Sequence, residues 1–363
     1  MRVLLLHNRY RIEGGEERSV DLQLRALERA GVAHRLLEVR SDEVGRGTAA
    51  TTLLRGGTSD LDVDADIVHV HNMQPLLGPR ALEAAQAAGA RVVMHLHNAR
   101  LFCAIGVASR DGGPCFRCRG RLTLPGLVLN CRGSLPEAAA YAAALSLQQP
   151  RVWQAVDRFV APSAWAAGQL ALLGVPSDRL EVLPHYVPEP ATESRADEGE
   201  YALVAARLSE EKGIDVAIEA SAATGVPLRV AGEGPAAESL IDLARRLDAP
   251  VEFLGKVGRP GVAELLARAA MVVMPSRYHE FSPYSALEAM AAGVPVVATR
   301  MGGLPELVGD GVAPGDVGLR MRALWSEPEA RRNEGESLLA RVRAGHSEER
   351  YIASLLALYE RLL

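Results

Sequence analysis

Aromatic residues are scarce in this chain, at 4% of 363 residues. Lysine is scarcer still: it stands only at Lys212 and Lys256 among 40 basic residues, so nearly every other positive charge is an arginine. There is no basic excess either. The formal net charge of −5 argues against a nucleic-acid partner, whose phosphates would have to be neutralised. No apolar run approaches the roughly 18 residues that would suggest a membrane span. The chain enters a strand-like run at Arg2–Leu6 without the charged, apolar and small-residue succession of a secretory signal. These absences predict a cytoplasmic protein. Only four cysteines occur, and in that setting disulfides are disfavoured.

What is present is an ordinary globular composition, 48% hydrophobic and 23% charged. The length suggests two or three domains. Short apolar runs at Arg2–His7, Ala33–Val39, Asp66–His71, Arg91–Leu96, Arg158–Pro162 and Leu180–Leu183 read as strands. Helical spacing lies between them, at Glu16–Ala30, Gly78–Ala88, Leu135–Val156 and Ala164–Leu173. Such alternation predicts a parallel sheet covered on both faces. A polar, proline-containing stretch at Val187–Gly199 reads as a linker. A second alternating set follows, with strands at Tyr201–Ala205, Pro227–Ala231, Val251–Leu254, Ala270–Met274 and Val294–Ala298. Ser347–Leu362 has Ile352, Leu355, Leu356 and Tyr359 on one helical face. Two doubly wound domains in tandem would place a ligand in a cleft at the carboxyl ends of their strands.

The most informative stretch runs from Glu280 through Phe281, Ser282 and Pro283 to Glu288 and Gly293, followed by Gly302-Gly303-Leu-Pro-Glu306. It reads as strand, loop and helix, with Pro283 in the first turn, where its missing N–H costs nothing. A helix mouth offers free N–H groups and a positive dipole end to an anion. Two carboxylates beside it suit the hydroxyl groups of a ligand whose phosphates occupy that mouth, which describes a sugar nucleotide. A second pattern, Arg207-Leu-Ser-Glu-Glu-Lys212-Gly213, places two cations at the carboxyl edge of a sheet, where they can converge on one diphosphate. Lysine in so arginine-rich a chain points to a compact ammonium group at 212; for Lys256 chance suffices. For any single carboxylate or cation the alternative is a solvated surface charge. The ordered runs favour function.

Together these motifs closely resemble the signature of the retaining glycosyltransferases of family four, and the resemblance covers essentially the whole chain. It implies an α/β GT-B architecture: two Rossmann-like doubly wound parallel-sheet domains facing a central cleft. The expected division is 1–187 for an acceptor-side domain, 188–199 for the linker, 200–345 for the donor-nucleotide domain, and 346–363 for a helix crossing back to the first domain. By the same resemblance Glu280 contacts the donor sugar, Glu288 binds the ribose, and Arg207 and Lys212 bind the phosphates. Phe281, Ser282 and Pro283 lie beside the donor, and Gly232 and Gly234 line the nucleotide site. Gly14-Gly15 lies against the diphosphate or the acceptor, although Glu16 stands where the family often has a small residue. His97 contacts the sugar near its reacting face, while His69, His71 and His95 read as satisfied structural histidines. After Gly309-Asp310-Gly311 the chain is shorter than the family pattern.

The activity so implied moves a hexosyl unit from a nucleoside-diphosphate sugar to an acceptor hydroxyl of a glycan, lipid-linked sugar or small molecule. The anomeric configuration is retained, without a catalytic metal, as in polysaccharide biosynthesis. Two other readings stay open: a sugar-nucleotide 2-epimerase, and a silent sugar-nucleotide binding module. Arg100, Arg110, Arg117, Arg119, Arg121 and Arg132 crowd one segment around the apolar Leu122–Leu129. That segment fits peripheral contact with an inner membrane face, or a packed insertion with solvated arginines. Cys103, Cys115, Cys118 and Cys131 all fall there, and the C-x-x-C spacing is compatible with a structural zinc or with four reduced thiols.

Overall fold

The computed structural model describes residues 1–10, 14–188 and 195–363. The chain divides into two units. Residues 189–194 of the linker stretch Val187–Gly199 lie outside the described residues.

The first unit comprises Met1–Ala108, Cys115–His185 and Glu349–Leu363. Its strands are β1 (Arg2–Arg9), β2 (Ala33–Arg40), β3 (Ile67–Asn72) and β4 (Arg91–His95). After the short hairpin β5 (Ser109–Arg110) and β6 (Gly113–Pro114) come β7 (Arg158–Ala161) and β8 (Leu180–Val182). The sheet order is β2-β1-β3-β4-β7-β8, with every pairing parallel. Val3–Leu6, Ile67–Val70 and Val92–Met94 are buried without a break, as expected of strands covered on both faces. The helix Glu348–Glu360 brings Tyr351 and Tyr359 into this unit. Tyr351 Oη donates to Gln23 Oε1 at 2.9 Å, and Gln23 Nε2 donates to Tyr359 Oη at 3.0 Å.

The second unit comprises Tyr186–Glu348 together with the hairpin Ser109–Pro114. Its strands are β9 (Tyr201–Ala205), β10 (Leu228–Ala231), β11 (Val251–Gly255), β12 (Ala269–Met274) and β13 (Val296–Ala298). The parallel order is β11-β10-β9-β12-β13. Ala202, Val204, Val230, Met271 and Val273 from the strands meet Ile214, Ile218, Met321 and Leu324 from the covering helices in one core.

Both sheets grow outward in two directions from an early strand. The chain proceeds from β1 to β2 on one side and then returns to β3 on the other. Likewise it runs from β9 through β10 to β11, then returns to β12. Where the winding reverses, the connections leave the carboxyl edge in opposite directions and a ligand-sized crevice opens. Sequence reasoning anticipates this layout, and β9 spans Tyr201–Ala205 as expected, but some ends are misplaced: β13 starts at Val296 where the sequence suggests Val294. Lys212 closes a short 3-10 turn, and the helix that follows begins at Ile214. Pro283 is the N-cap of the helix Tyr284–Ala291, outside its first turn.

Candidate functional site

The reversal point of the second sheet collects the predicted donor residues of that unit. From the edge of β9 come Arg207 and Lys212, and from the edge of β12 come Ser276, Tyr278 and Glu280. Glu280 is 4% exposed and is the hub of the group. Its Oε1 accepts from Lys212 Nζ at 2.8 Å and from Ser276 Oγ at 2.7 Å. Its Oε2 accepts from Tyr278 Oη at 2.6 Å. Lys212 also donates to Tyr278 Oη at 3.0 Å, with its ammonium 4.9 Å from the centre of that ring. A buried carboxylate with three donors, one of them the Lys212 ammonium, is held in one rotamer. Burial opposes the charge on Lys212, but Glu280 and Tyr278 outweigh it and hold its pKa above the ordinary lysine range. Burial, then Glu280, pushes the Tyr278 phenol upward in turn.

Glu280 is fixed by its backbone as well. Its carbonyl accepts from Gly303 N at 2.7 Å, and it forms a parallel bridge with Gly302. The Gly-Gly pair of the motif thus clamps the loop that carries the carboxylate. Arg207 is exposed and engaged differently: its Nη2 donates to Glu211 Oε1 at 2.5 Å, and Ser209 Oγ donates to the same oxygen at 2.8 Å. Lys212 and Glu280 are therefore brought into contact, while Arg207 keeps a separate partner. Gly232 and Gly234 serve the backbone first. A Cβ at Gly232 would lie 1.8 Å from Ala206 O, and one at Gly234 would lie 2.2 Å from Leu208 O. They let the β10 turn press against the Arg207 turn, a packing role that a glycine cluster in sequence does not distinguish from ligand contact. Phe281 and Ser282 are buried beneath the same loop, and Glu288 is half-buried on the helix that follows.

A second constellation lies at the reversal point of the first sheet, and most of it escaped sequence reasoning. Gly15 opens the helix Gly15–Arg29 and Gly14 is its N-cap. Gly14 N donates to Glu17 Oε2 at 2.7 Å, so this turn is closed by its own carboxylate. Glu16 is buried and accepts from Tyr10 Oη at 2.9 Å and from Asn98 Nδ2. The Arg100 guanidinium sits 4.6 Å from the centre of the Tyr10 ring. Tyr10, Glu16, His71, His97, Asn98 and Arg100 line a cavity of about 30 Å³. Burial pushes the Glu16 carboxyl from 4.5 up to about 7, against the pull of Arg100. A carboxyl raised that far beside a cavity makes Glu16 a candidate for a functional position.

His97 is half-buried here, with Nε2 3.0 Å from His71 Nδ1 and its ring stacked 4.2 Å from that of His95. Burial, then the neighbouring His95 and His71, hold it neutral well below the ordinary histidine range. The neighbouring histidines are not satisfied, contrary to the sequence expectation. His69 Nε2, His71 Nε2 and both ring nitrogens of His95 have no hydrogen-bond partner among the described residues.

The raised Glu16 pKa has a measurable consequence. Between pH 4.5 and about 7 the unfolded chain releases this proton while the folded one keeps it. Folding then binds a proton, and stability falls as pH rises through that window. Glu16→Gln removes the titration, so its melting temperature should gain on the wild type at pH 8 relative to pH 4. A constant difference across the range would show that Glu16 titrates normally.

Cys118 Sγ donates to Thr123 O at 3.9 Å and Cys131 N to Gly126 O at 3.0 Å, so these two cysteines lie against the turn Thr123–Gly126. Burial, then Cys103 and the other two thiols, raise Cys118 to about 11. Among the described residues, the groups of three ligand atoms lying within 4.8 Å of one another are histidine triads. The apolar side of the helix Leu124–Val128 faces solvent, with Leu122 51%, Leu124 57% and Val128 72% exposed. No helix among the described residues is long and apolar enough to cross a membrane.

Residues 3–186 match the family model of the glycosyl transferase 4-like domain, and residues 189–320 match that of the glycosyl transferases group 1. A glycogen synthase of Mycobacterium tuberculosis is 37% identical over 155 residues, which cover 39% of this chain and 37% of that protein. The chain thus spans well under half the length of the curated relatives it matches. Among solved structures, the sucrose-phosphate synthase of Thermosynechococcus elongatus superposes with a TM-score of 0.72 at 18% identity, covering 99% of this chain and 98% of the other. Anabaena Alr3699/HepE, in complex with UDP and glucose, gives a TM-score of 0.69 at 15% identity, covering 99% and 100%. At these identities the likeness shows the fold, which is GT-B.

Proposed function

The chain belongs to the family of the glycosyl transferase 4-like domain and has a GT-B fold, and we propose that it transfers a hexosyl unit from a nucleoside-diphosphate sugar to an acceptor hydroxyl with retention of configuration. The observation that carries this reading is the buried Lys212–Ser276–Tyr278–Glu280 group at the reversal point of the second sheet. A carboxylate locked by three donors is a rigid acceptor for sugar hydroxyls. Arg207 and Lys212 supply positive charge for a diphosphate whose negative charge grows as the glycosidic bond breaks. The leaving phosphate takes the acceptor's proton, with no covalent sugar–enzyme intermediate and no catalytic metal. The reading gives the ribose to Glu288. Phe281, Ser282, Pro283, Gly232 and Gly234 shape the surrounding wall. On the first unit it gives the donor-sugar contact to His97 and a donor or acceptor contact to Gly14-Gly15.

The HepE structure holds UDP and glucose, which makes a uridine nucleotide the first donor to try. Incubation with radiolabelled UDP-, GDP- and dTDP-sugars tests the proposal. Transfer, or slow release of free sugar from one donor, is the expected result. Conversion to the 2-epimer, or binding without turnover, would support the two other readings instead. Glu288→Ala should weaken binding of the matching nucleoside diphosphate several-fold in a thermal-shift titration. An unchanged titration would remove Glu288 from the nucleoside site.

Two further parts of the reading concern the first unit. Exposed Leu122, Leu124 and Val128 beside exposed Arg117, Arg119 and Arg121 support contact with an anionic membrane face, where a lipid-linked acceptor would be met. Cys103, Cys115, Cys118 and Cys131 are proposed to hold a structural zinc, a closed site that takes no part in chemistry.

A further inference from the structure

Six histidines of the first unit, His7, His69, His71, His95, His97 and His185, form one continuous group of rings. Three lie deepest. His69 and His71 are two residues apart on β3 and share a face, since side chains alternate along a strand. His95 ends β4, which pairs with β3 in parallel register, Val70 opposite Met94. The ring centres are 5.0 Å apart for His69 and His71, 5.3 Å for His71 and His95, and 5.7 Å for His69 and His95. All three residues are at most 4% exposed.

Hydrogen-bond accounting leaves this trio in deficit. His69 Nδ1 is 2.7 Å from Tyr359 Oη, and His71 Nδ1 is 3.0 Å from His97 Nε2. That spends one nitrogen of each outer ring. His69 Nε2, His71 Nε2 and both nitrogens of His95 stay unpaired and buried, whichever tautomers are drawn. Each unpaired buried polar atom is destabilising, and four in one place ask for an occupant.

The same atoms meet the requirements of a metal. Nitrogen atoms of His69, His71 and His95 lie within 4.8 Å of one another. Neutral imidazole is the ligating form of histidine. The second nitrogens of His69 and His71 are engaged from outside, the arrangement that orients metal-bound imidazoles. We propose that His69, His71 and His95 bind a divalent transition-metal ion of the zinc or cobalt type through their inward ring nitrogens. Neutral imidazoles suit such borderline ions over magnesium or calcium. The ion ties β3 to β4 under the stacked ring of His97. With metal on Nε2, the ring protons of His69 and His71 sit on Nδ1 and are donated to Tyr359 and His97. This site is separate from the thiols and does not depend on the donor reading.

Cobalt(II) titration of chelator-treated full-length protein tests the proposal, because cobalt bound by thiolates shows a charge-transfer band that cobalt bound by imidazoles lacks. Cys118→Ser protein, in which the thiol set is broken, should take up one equivalent of cobalt with ligand-field bands and no thiolate band. His69→Gln in that background should abolish this uptake. Tyr359→Phe removes the outer partner of His69 together with the acceptor of Gln23 Nε2, and at unchanged circular dichroism should weaken cobalt binding roughly tenfold. Failure of Cys118→Ser protein to bind cobalt stoichiometrically would overturn the proposal. So would uptake that His69→Gln and Tyr359→Phe leave intact.

Discussion

Glu280→Gln should lower sugar transfer by at least about a hundredfold, because a misplacement of the reacting sugar on the order of 1 Å already costs that much. It should leave nucleoside-diphosphate affinity equal to that of the wild type or tighter. The reason is the partner the carboxylate now holds. Lys212 is paired with Glu280 at 2.8 Å, so its charge is partly spent within the protein. The amide keeps the shape, with its oxygen still able to accept from Ser276, but its NH2 replaces the oxygen that accepts from Tyr278 and the charge of Lys212 is released towards phosphate. Initial rates with the matching donor and calorimetric titration with the free nucleoside diphosphate measure the two effects separately. If affinity for the free diphosphate fell as steeply as transfer, Glu280 would be acting on the phosphates and its assignment to the sugar would be wrong.

Lys212→Met should affect both folding and turnover. Removing the cation leaves the Glu280 carboxylate, whose side chain is 5% exposed, with only Ser276 and Tyr278 as neutralising partners. Breaking a buried ion pair from one side typically costs about 3–5 kcal/mol, and the two surviving hydrogen bonds place this case near the lower bound. Arg207→Ala is the informative contrast. Its side chain is 44% exposed in its pair with Glu211, so urea unfolding should change by less than about 1 kcal/mol. Turnover should nevertheless fall in both variants by more than the donor's Michaelis constant rises, since the charge they meet develops in the transition state. A raised Michaelis constant with unchanged turnover would reduce both cations to ground-state binding.

Much of the fold is readable from the chain because strands covered on both faces leave an unbroken apolar run. Leu4–Leu6, Val92–Met94 and Met271–Met274 could hardly be anything else. The helix Arg46–Arg55 was not anticipated, and only Ala49 and Leu53 of it are buried, too few to show a period. In the donor group, Glu280, Glu288, Arg207 and Lys212 stood out because their spacing is distinctive. Ser276 and Tyr278 did not, because a serine and a tyrosine in a loop carry no pattern. Their importance comes from the turn that aims them at one carboxylate. The Tyr10–Glu16–Asn98–Arg100 network was invisible for a different reason. Asn98 and Glu16 are 82 residues apart, and only the adjacency of strand edges in one sheet joins them. The histidines show the limit of periodicity. Alternation puts His69 and His71 on one face of β3, but it cannot reveal whether a ring nitrogen finds a partner.

The central claim is that the reversal point of the second sheet binds a nucleoside diphosphate through Arg207, Lys212 and Glu288. Isothermal titration of the wild type, Arg207→Ala and Glu288→Ala with UDP, GDP and dTDP tests it most directly. The account predicts that one of the three nucleotides binds the wild type with one site per chain, and that each substitution weakens that binding at least several-fold. Absence of binding by all three, or affinity unchanged in both variants, would contradict it.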